Sequence, residues 1–453
     1  MFKKFTNGCV NLVQRFLPDA FIFCIILTII VVVAAMPVTG MNIFQVADAW
    51  GGGMWSLLGF SMQMALVLVL GTAFASAPIV KKGIHKLASI PKKPVSAIVF
   101  VTVLSMICCW LNWGFGLVVG ALLAKEVAKT GVKVDYRLLI ASAYSGFVVW
   151  HAGASGSIPL TIATYSDSVN QVSGGAITKA IPTSETIFSP WNLIMVVGVV
   201  VVVAIVNAFM HPKMEDTITV PASILNEKEE VFEKPVTPAE KLENSMILSF
   251  FVAILGTIFL VRYFMKLGSF SLSLDAVNLI FLVLGVLFHR TPIGYVRAIS
   301  AAAKGAGGII LQFPFYAGLM GMMTTKGPDG VSLAGAISNV FVQISNGRTF
   351  PLFTFLSAGI VNFFVPSGGG QWAVQAPIMM PAGEHLHVAH SVTAMAIAWG
   401  DAWTNMLQPF WALPALGIAG LGARDIMGYC AVVLLVSGLI ICLGFLFIVP
   451  IFV

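Results

Sequence analysis

Apolar runs long enough to cross a lipid bilayer recur along this sequence. The run from 191 to 210 contains no charged residue, and neither does the run from 21 to 36 or that from 427 to 450. A helix needs about 20 apolar residues to span the hydrocarbon core. The chain is 58% hydrophobic and 10% charged, with a mean hydropathy of +0.94. These features predict an all-α polytopic membrane protein, folded as one integral bundle without a separate soluble domain.

The predicted spans account for most of the chain. They lie near residues 21–36, 55–80, 138–164, 191–210, 246–265, 276–288, 305–325, 391–420 and 427–450. Lys3, Lys4 and Arg15 precede the first run, as basic residues do in a secretory signal. Because many further spans follow, we predict an uncleaved first helix. The six cysteines lie mostly within apolar runs, which favours packing over disulfides or a metal site.

The charge pattern and the motifs exclude several functions. No basic patch interleaved with aromatic residues suggests nucleic-acid binding, and the sequence contains no phosphate-binding loop, HExxH or GxSxG motif. We therefore expect no catalytic residue, no resident cofactor and no nucleic-acid partner.

The positions of Lys and Arg predict how the chain crosses the membrane. Segments 81–93 and 125–137 flank the apolar run 95–124, and both are basic. The positive-inside rule places both flanks in the cytoplasm, so run 95–124 should enter and leave on one side as a re-entrant hairpin. The glycines of LNWGFG, residues 111–116, are expected to form its tip. Extended along the chain, this scheme makes the N-terminus cytoplasmic and places 20 of the 25 basic residues inside.

The second part of the sequence resembles the first after a shift of 250 residues. Hairpin 95–124 then falls on the apolar run 349–383, and the interrupted helix 138–164 falls on 391–420. Residues identical under this shift include Asn112, which aligns with Asn362. We therefore predict two re-entrant hairpins and two discontinuous transmembrane helices.

One additional span, 246–265, has no counterpart in the first half. It makes the second half enter the membrane from the opposite face, giving an inverted-topology repeat. Secondary transporters commonly have this architecture, with the binding site near the midplane where broken helices meet. We divide the chain into a first repeat at 1–210, a polar cytoplasmic linker at 211–244, and a segment at 245–453 that contains the extra span and the second repeat.

Glycine, serine and proline interrupt the predicted helices at both hairpin tips and both helix breaks. Unpaired backbone groups are costly in hydrocarbon unless they line an enclosed site. Helix N-termini attract anions, whereas carbonyl ends suit small cations. The neutral side chains beside the breaks favour a small carboxylate over a polyanion, although close helix packing is an alternative role for single glycines. The candidate binding residues are Asn112, Trp113, Gly114, His151, Gly153, Ser155, Gly156, Ser157, Ser367, Gly368, Gly369, Gly370, Gln371, Asp401, Thr404 and Asn405.

His151 and Asp401 place ionisable side chains within the two broken helices. Ionisable residues inside a membrane are functional hypotheses by default, and histidine titrates near neutrality. A buried structural histidine and a locally paired aspartate are the alternatives. We give the neighbouring glycines, serines and Pro159 the stronger claim to the binding surface. Tryptophans cluster around the breaks, either as interface anchors or as an aromatic wall for an acyl chain.

The motifs SGFVVWHAGASGSIPL, residues 145–160, and NFFVPSGGGQWAVQAPIMMPAG, residues 362–383, resemble those of the bacterial short-chain fatty acid transporter family. The resemblance runs the whole length and implies uptake of acetoacetate, butyrate and similar monocarboxylates. The family is similar to a wider ion-transporter superfamily of elevator-type carriers, in which a transport domain moves against a scaffold, usually within a dimer. In those carriers, Ser-Asn-Thr motifs at hairpin tips and helix breaks hold sodium and carboxylate. The residues that this likeness transfers here are Asn112, Ser155, Ser367, Thr404 and Asn405, with sodium expected at Asn112/Ser155 and at Ser367/Asn405.

The leading hypothesis is a homodimeric secondary carrier for short-chain monocarboxylates in the bacterial inner membrane. A gradient of protons or of sodium would drive it. A carrier of dicarboxylates or amino acids is the alternative within transport, although a second substrate charge would call for a nearby Arg or Lys. An ion channel and a membrane enzyme using His151 and Asp401 are the remaining alternatives.

Overall fold

The protein is helical throughout the part that the structure describes. This computed structural model describes residues 2–16, 20–163, 165–220, 236–267, 274–366 and 368–453. No β-strand occurs in these ranges, so the predicted all-α class is confirmed. The candidate residue Ser367 and positions 221–235 of the predicted linker lie outside the described residues.

The first part of the chain forms eleven α-helices among the described residues. They are α1 (Phe2–Phe16), α2 (Ala20–Thr39), α3 (Ile43–Gly53), α4 (Leu58–Ser76), α5 (Pro78–Ala88), α6 (Pro94–Leu111), α7 (Trp113–Lys129), α8 (Tyr136–Tyr144), α9 (Ser157–Ala163), α10 (Asp167–Val172) and α11 (Pro190–Met210). A 3-10 helix at Ser145–Ala152 follows α8, and another lies at Met214–Asp216.

The remaining helices continue in the same way. They are α12 (Pro238–Glu243), α13 (Met246–Leu267), α14 (Leu274–His289), α15 (Pro292–Ala303), α16 (Gly307–Thr324), α17 (Leu333–Gln343), α18 (Phe350–Asn362), α19 (Gly368–His385), α20 (His390–Thr404), α21 (Pro409–Ala419), α22 (Ala423–Leu443) and α23 (Val449–Phe452). Short 3-10 helices lie at Lys304–Ala306 and Asn405–Leu407, and a π-helix lies at Gly444–Ile448.

Seven helical segments in the described part of the chain are long and apolar enough to cross a membrane. The pair α4 and α5, bent by 87°, would make an eighth span if the two helices are counted together. The span predicted at 55–80 therefore corresponds to α4 and the start of α5, with a bend between them. Ala77, at the bend, has φ −61° and ψ 137°, the extended conformation that a residue before proline prefers.

Helices α6 and α7 form an antiparallel helical hairpin, called the first hairpin below. Gly116 on α7 faces the backbone of Cys109 on α6, and Gly120 faces Ser105 one turn further from the tip. A Cβ atom at Gly120 would lie 2.6 Å from the Ser105 hydroxyl oxygen. Small residues on α7 therefore allow the two arms to pack closely.

Asn112 alone separates the two arms of the first hairpin. Its backbone is extended, with φ −154° and ψ 120°, and its side-chain oxygen accepts the Phe115 N–H at 2.9 Å. This is the geometry of a helix N-cap. The prediction that glycines of 111–116 form the tip is wrong, because Gly114 and Gly116 already lie within α7.

Helices α18 and α19 form the second hairpin. The Gln371 side-chain amide donates to the Ala358 carbonyl at 2.7 Å, and the Gln375 amide donates to the Ser357 hydroxyl at 3.1 Å. These contacts run in opposite order along the two helices, so the arms are antiparallel. Residues 363–366 are the described part of the tip.

Two further helices are interrupted at their centres. In the first broken helix, α8 passes into the 3-10 helix Ser145–Ala152, and α9 resumes at Ser157. In the second, α20 ends at Thr404, a 3-10 turn follows, and α21 begins at Pro409. The 3-10 segment of the first broken helix is unusual because such helices rarely exceed three or four residues.

The broken helices and the hairpins pack together at the centre of the molecule. The 3-10 segment of the first broken helix contacts α6 and α20, and α20 packs along α18. The interrupted segments predicted from sequence are thus neighbours in space. The division into two repeats and a linker stays a prediction.

Candidate functional site

The tip of the first hairpin binds the first helix break through the backbone. The Ala154 N–H donates to the Trp110 carbonyl at 2.7 Å, and the Trp113 N–H donates to the Ser155 hydroxyl at 3.0 Å. Asn112 and Ser155, paired by sequence spacing, therefore lie at one junction. The Asn112 side chain caps its own helix.

We expect Gly153→Ala to destabilise the protein, because Gly153 lies directly against the α6 backbone. An added Cβ would lie 2.8 Å from both Cα and the carbonyl carbon of Trp110, and backbone atoms cannot move aside as a side chain can. The expected loss is about 1–3 kcal/mol of unfolding free energy, seen as a lower melting temperature in detergent. Gly52→Ala is the matched control because nothing lies within 4 Å of a Cβ there. Equal melting temperatures for the two variants would contradict this packing.

Asn362, the last residue of α18, is the centre of a buried hydrogen-bond cluster. Its side-chain oxygen accepts the Thr404 hydroxyl at 3.0 Å and the Asn405 amide at 2.9 Å. Its amide nitrogen donates to Asp401 Oδ1, and its backbone carbonyl accepts the Gln408 amide at 3.2 Å. Asn362 thus holds the second hairpin tip on the second helix break.

Asn362 and Gln408 were not among the candidate residues. A signal for Asn362 was present in the sequence, because it aligns with Asn112 and lies 43 positions before its partner Asn405. Gln408 directly precedes Pro409, and its backbone is extended, with φ −98° and ψ 114°. Nothing in its sequence neighbourhood distinguishes it from an ordinary residue before proline.

His151 and Asp401 form a buried pair that joins the two broken helices. His151 Nδ1 lies 2.6 Å from Asp401 Oδ2, and the two side chains are 0% and 1% exposed. The other ring nitrogen, Nε2, lies 3.1 Å from the Ile158 backbone nitrogen and 3.0 Å from the Ser157 hydroxyl. A backbone N–H can only donate, so Nε2 is the acceptor and the ring proton is on Nδ1, directed at the carboxylate. The α9 N-terminus therefore fixes the tautomer of His151.

The second hairpin closes directly over this pair. A Cβ atom added to Gly368 would lie 2.7 Å from His151 Cε1 and would also contact the Ser157 hydroxyl. The first residue of α19 must therefore be a glycine, or nearly as small, if the tip is to stay in this position. Three parts of the chain meet here: the first break, the second broken helix and the second hairpin tip.

Aromatic rings line one side of the cluster. The Trp150 ring stacks on the His151 ring, with centroids 4.1 Å apart and an interplanar angle of 13°. The Trp150 indole N–H also donates to Asn405 Oδ1 at 3.0 Å, which ties the two breaks together. Trp113 and Trp411 pack edge to face at 5.3 Å beside it. These rings form an apolar wall next to the polar groups.

The structure brings together some of the candidates and not others. His151, Ser157, Gly368, Asp401, Thr404 and Asn405 belong to the cluster, and Asn112, Trp113, Gly153 and Ser155 to the first hairpin junction. Gly156 faces the ring of Pro159, whereas Gly369 has open space around its Cβ position. Gly114 lies in the first turn of α7, Gly370 lines a separate cavity, and Gln371 bonds within the second hairpin.

The oxygens predicted to hold sodium already accept hydrogen bonds in this structure. Ser155 Oγ and Asn112 Oδ1 each accept a backbone N–H, and Asn405 Oδ1 accepts an indole N–H. Within the described residues, no group of three or more His, Cys, Asp or Glu side chains could hold a metal ion. Sodium at either position therefore stays a prediction.

Apolar helices of membrane-spanning length, built around interrupted helices and a buried polar centre, define a polytopic membrane transport protein. The chain matches the model of the short chain fatty acid transporter family over residues 1–448. It therefore belongs to that family, as its motifs indicated, and is a transporter rather than an enzyme.

Curated relatives agree with this assignment. A protein of Escherichia coli is 43% identical over 98% of this chain and 99% of its own length, and one of Haemophilus influenzae is 41% identical over 99% and 100%. Both are named provisionally as short-chain fatty acid transporters.

The crystal structure of the Alcanivorax borkumensis YdaH transporter is similar over 96% of this chain and 98% of that chain, at 15% identity and a TM-score of 0.45.

Proposed function

We propose that this protein is a secondary active carrier that moves short-chain monocarboxylates, such as acetoacetate and butyrate, across the bacterial inner membrane. The observation that supports this most is the buried cluster around Asn362, His151 and Asp401, where both broken helices meet the second hairpin tip. Such a junction of discontinuous helices is where secondary transporters bind substrate. Opening the hairpin would expose backbone N–H groups for one carboxylate, and the neighbouring tryptophans would contact its acyl chain.

Charge in the cluster favours a monocarboxylate over the alternative dicarboxylate or amino acid. The hydrogen-bonded side chains there are neutral, apart from the Asp401 carboxylate and the titratable His151. A second substrate carboxylate would need a compensating cation, since burying an unpaired charge is costly. One anionic group with a short apolar tail satisfies the same surroundings without that cost.

The coupling ion in this proposal is the proton. In the structure His151 Nε2 accepts the Ile158 N–H, so a proton added at Nε2 would point one donor at another. Protonation would therefore displace the α9 N-terminus, against which Gly368 of the second hairpin packs. Charge on the His151–Asp401 pair is thereby linked to opening of the hairpin. For sodium to bind at the predicted positions, the N–H groups that now donate to Ser155 Oγ, Asn112 Oδ1 and Asn405 Oδ1 would have to move away.

Movement in the proposed carrier follows the elevator scheme. The two hairpins and two broken helices form the mobile unit, and the remaining long helices form a scaffold within a homodimer. Helix α13 belongs to a segment of which only 17% is buried in the single chain, so its apolar surface is available to lipid or to a second subunit. The N-terminus lies in the cytoplasm, in accordance with the charge distribution.

The test is uptake by the purified protein in liposomes. Labelled butyrate or acetoacetate should accumulate under an inward proton gradient, and succinate should compete poorly. A sodium gradient without a pH difference should give no accumulation. Absence of accumulation for every monocarboxylate would refute the proposed function, whereas accumulation driven by sodium alone would refute only the proton. Steady single-channel current in planar bilayers would instead indicate a channel.

A further inference from the structure

A cavity rich in lysine lies away from the cluster, between α4, α5, α7, α15 and α21. It has a volume of about 460 Å³. Its lining includes Lys81, Lys125, Lys129 and Lys304, together with Glu126 as the sole acid. We call it the lysine cavity.

The lining of the lysine cavity combines positive charge with apolar surface. Glu126 binds Lys129 at 3.0 Å, and Lys81 and Lys304 add two further positive charges to the described lining. Between the lysines, the walls are formed mostly by Ala, Leu, Ile and Gly residues. The Thr72 hydroxyl, on the same wall, is buried without a hydrogen-bond partner. A concave surface with this excess of one charge concentrates anions, and the apolar walls suit an anion with a short hydrocarbon tail.

A second cavity, of about 490 Å³, has a comparable place in the other half of the chain. It lies between α16, α17 and α19, where the 250-residue shift relates Ser76 to Lys326 and Lys81 to Val331. Among the described residues that line it, Lys326 is the only charged one. The two cavities are therefore similar in size and position but unequal in charge.

Two helices that line the lysine cavity also reach the hairpin tip and the helix break described above. Helix α7 lines it from Leu122 onward and begins at Trp113, in the first hairpin tip, while α21 lines it at Gly417 and begins at Pro409, in the second break. At 1.5 Å per residue, the distance along α7 from Trp113 to Leu122 and the distance along α21 from Pro409 to Gly417 are each about 12 to 14 Å. Lysines 81, 125, 129 and 304 come from three segments that the positive-inside rule assigns to the cytoplasm.

We propose that the lysine cavity is a second binding site for the carboxylate substrate, weaker than the central cluster and on its cytoplasmic side. The proposal rests on the proposed function for the identity of the anion. The Lys81 and Lys304 ammonium groups and the Thr72 hydroxyl hold the carboxylate, and the Ala and Leu side chains contact its tail. The site raises the local concentration of substrate at the cytoplasmic end of the path.

The experiment measures equilibrium binding of labelled butyrate to the purified protein in lipid-free detergent. The unmodified protein should bind two molecules per chain with different affinities. Lys81→Gln combined with Lys304→Gln should weaken the lower-affinity site about threefold to tenfold, while Lys81→Arg with Lys304→Arg retains it. Lys326→Gln, in the opposite cavity, should leave both sites unchanged. A single butyrate site, unaffected by the glutamine substitutions, would overturn the proposal.

A second readout locates the site without relying on affinity. Butyrate should slow acetylation of Lys81 and Lys304 by an amine-reactive ester, measured by mass spectrometry, and leave the rate at Lys326 unchanged. Raising the ionic strength from about 50 to about 300 mM should weaken this protection, since the Debye length shortens by a factor of about 2.4 over that range. Equal acetylation rates with and without butyrate at all three lysines would overturn the proposal.

Three further outcomes separate this inference from its alternatives. Protection by butyrate that disappears in nanodiscs containing phosphatidylglycerol, but not in those of phosphatidylcholine, would overturn it, because the lysines would then hold lipid headgroups. If butyrate accumulates normally but no second binding site is found, the proposed site in the lysine cavity is refuted and the proposed function still stands. Binding at the cavity without transport of any monocarboxylate would refute the proposed function and leave the cavity as an anion site.

Discussion

Asp401→Asn is expected to abolish accumulation of butyrate under a proton gradient. Asp401 accepts hydrogen bonds from both His151 and Asn362, through its two carboxylate oxygens. An asparagine has one acceptor and one donor group, so one of the two neighbouring donors would face another donor in a fully buried site. The negative charge that stabilises a protonated His151 would also be lost. We expect the variant to equilibrate butyrate without concentrating it, and to lose about 1–3 kcal/mol of stability.

The matched control is Asp135→Asn, a second buried carboxylate on the same chain. Asp135 is 0% exposed and accepts the N–H groups of Leu138 and Ile218, so its replacement also leaves one donor facing another. We expect a similar loss of stability, with accumulation unchanged. If both variants accumulate butyrate normally, Asp401 is structural. If both fail, instability alone accounts for the result.

Gly368→Ala is expected to reduce butyrate uptake at least tenfold, the loss that about 1.4 kcal/mol of overpacking would cause. The new methyl group would lie 2.7 Å from His151 Cε1, so either the second hairpin or the first break has to move. The histidine is held on both ring nitrogens and cannot rotate away cheaply. Initial rates of uptake in liposomes, normalised to the amount of folded protein, measure the effect.

Gly369→Ala controls for the change of glycine to alanine in the same helix turn. Nothing lies within 4 Å of a Cβ atom at this position, and alanine favours the helix by roughly 1 kcal/mol. Uptake should therefore be unchanged or slightly higher. Equal rates for the two variants would show that contact between the tip and His151 is unimportant for transport.

The sequence predicts where helices are interrupted more reliably than it predicts what the interruption looks like. Gly153 and Pro409 mark both helix breaks correctly, because a missing side chain or a missing N–H disfavours a continuous helix locally. The turn of the first hairpin was misplaced onto glycines. Asn112 makes that turn with its side chain, while Gly116 serves packing between the arms. Turn and packing glycines look alike until the partner surface is known.

The pairing of His151 with Asp401 was foreseeable, but its importance was not. The two residues are 250 positions apart and lie in corresponding helices, so a contact between them was plausible from sequence. Their hydrogen bonds depend on rotamers and on the exact end of α9, which no residue pattern encodes. The sequence therefore ranked His151 below its neighbouring glycines, whereas the structure places it at the meeting point of three segments.

The 3-10 winding of Ser145–Ala152 makes the first broken helix longer than an α-helix of the same residues would be. Its eight residues rise about 2.0 Å each, against 1.5 Å in an α-helix, so rewinding the segment would shorten it by about 4 Å. Each residue would also turn by about 100° instead of 120°, which accumulates to roughly 160° over the segment. An α-helix of the same residues would thus hold His151 at a different depth and facing a different direction. The winding of this segment therefore sets both how deep His151 lies and the direction in which its side chain faces.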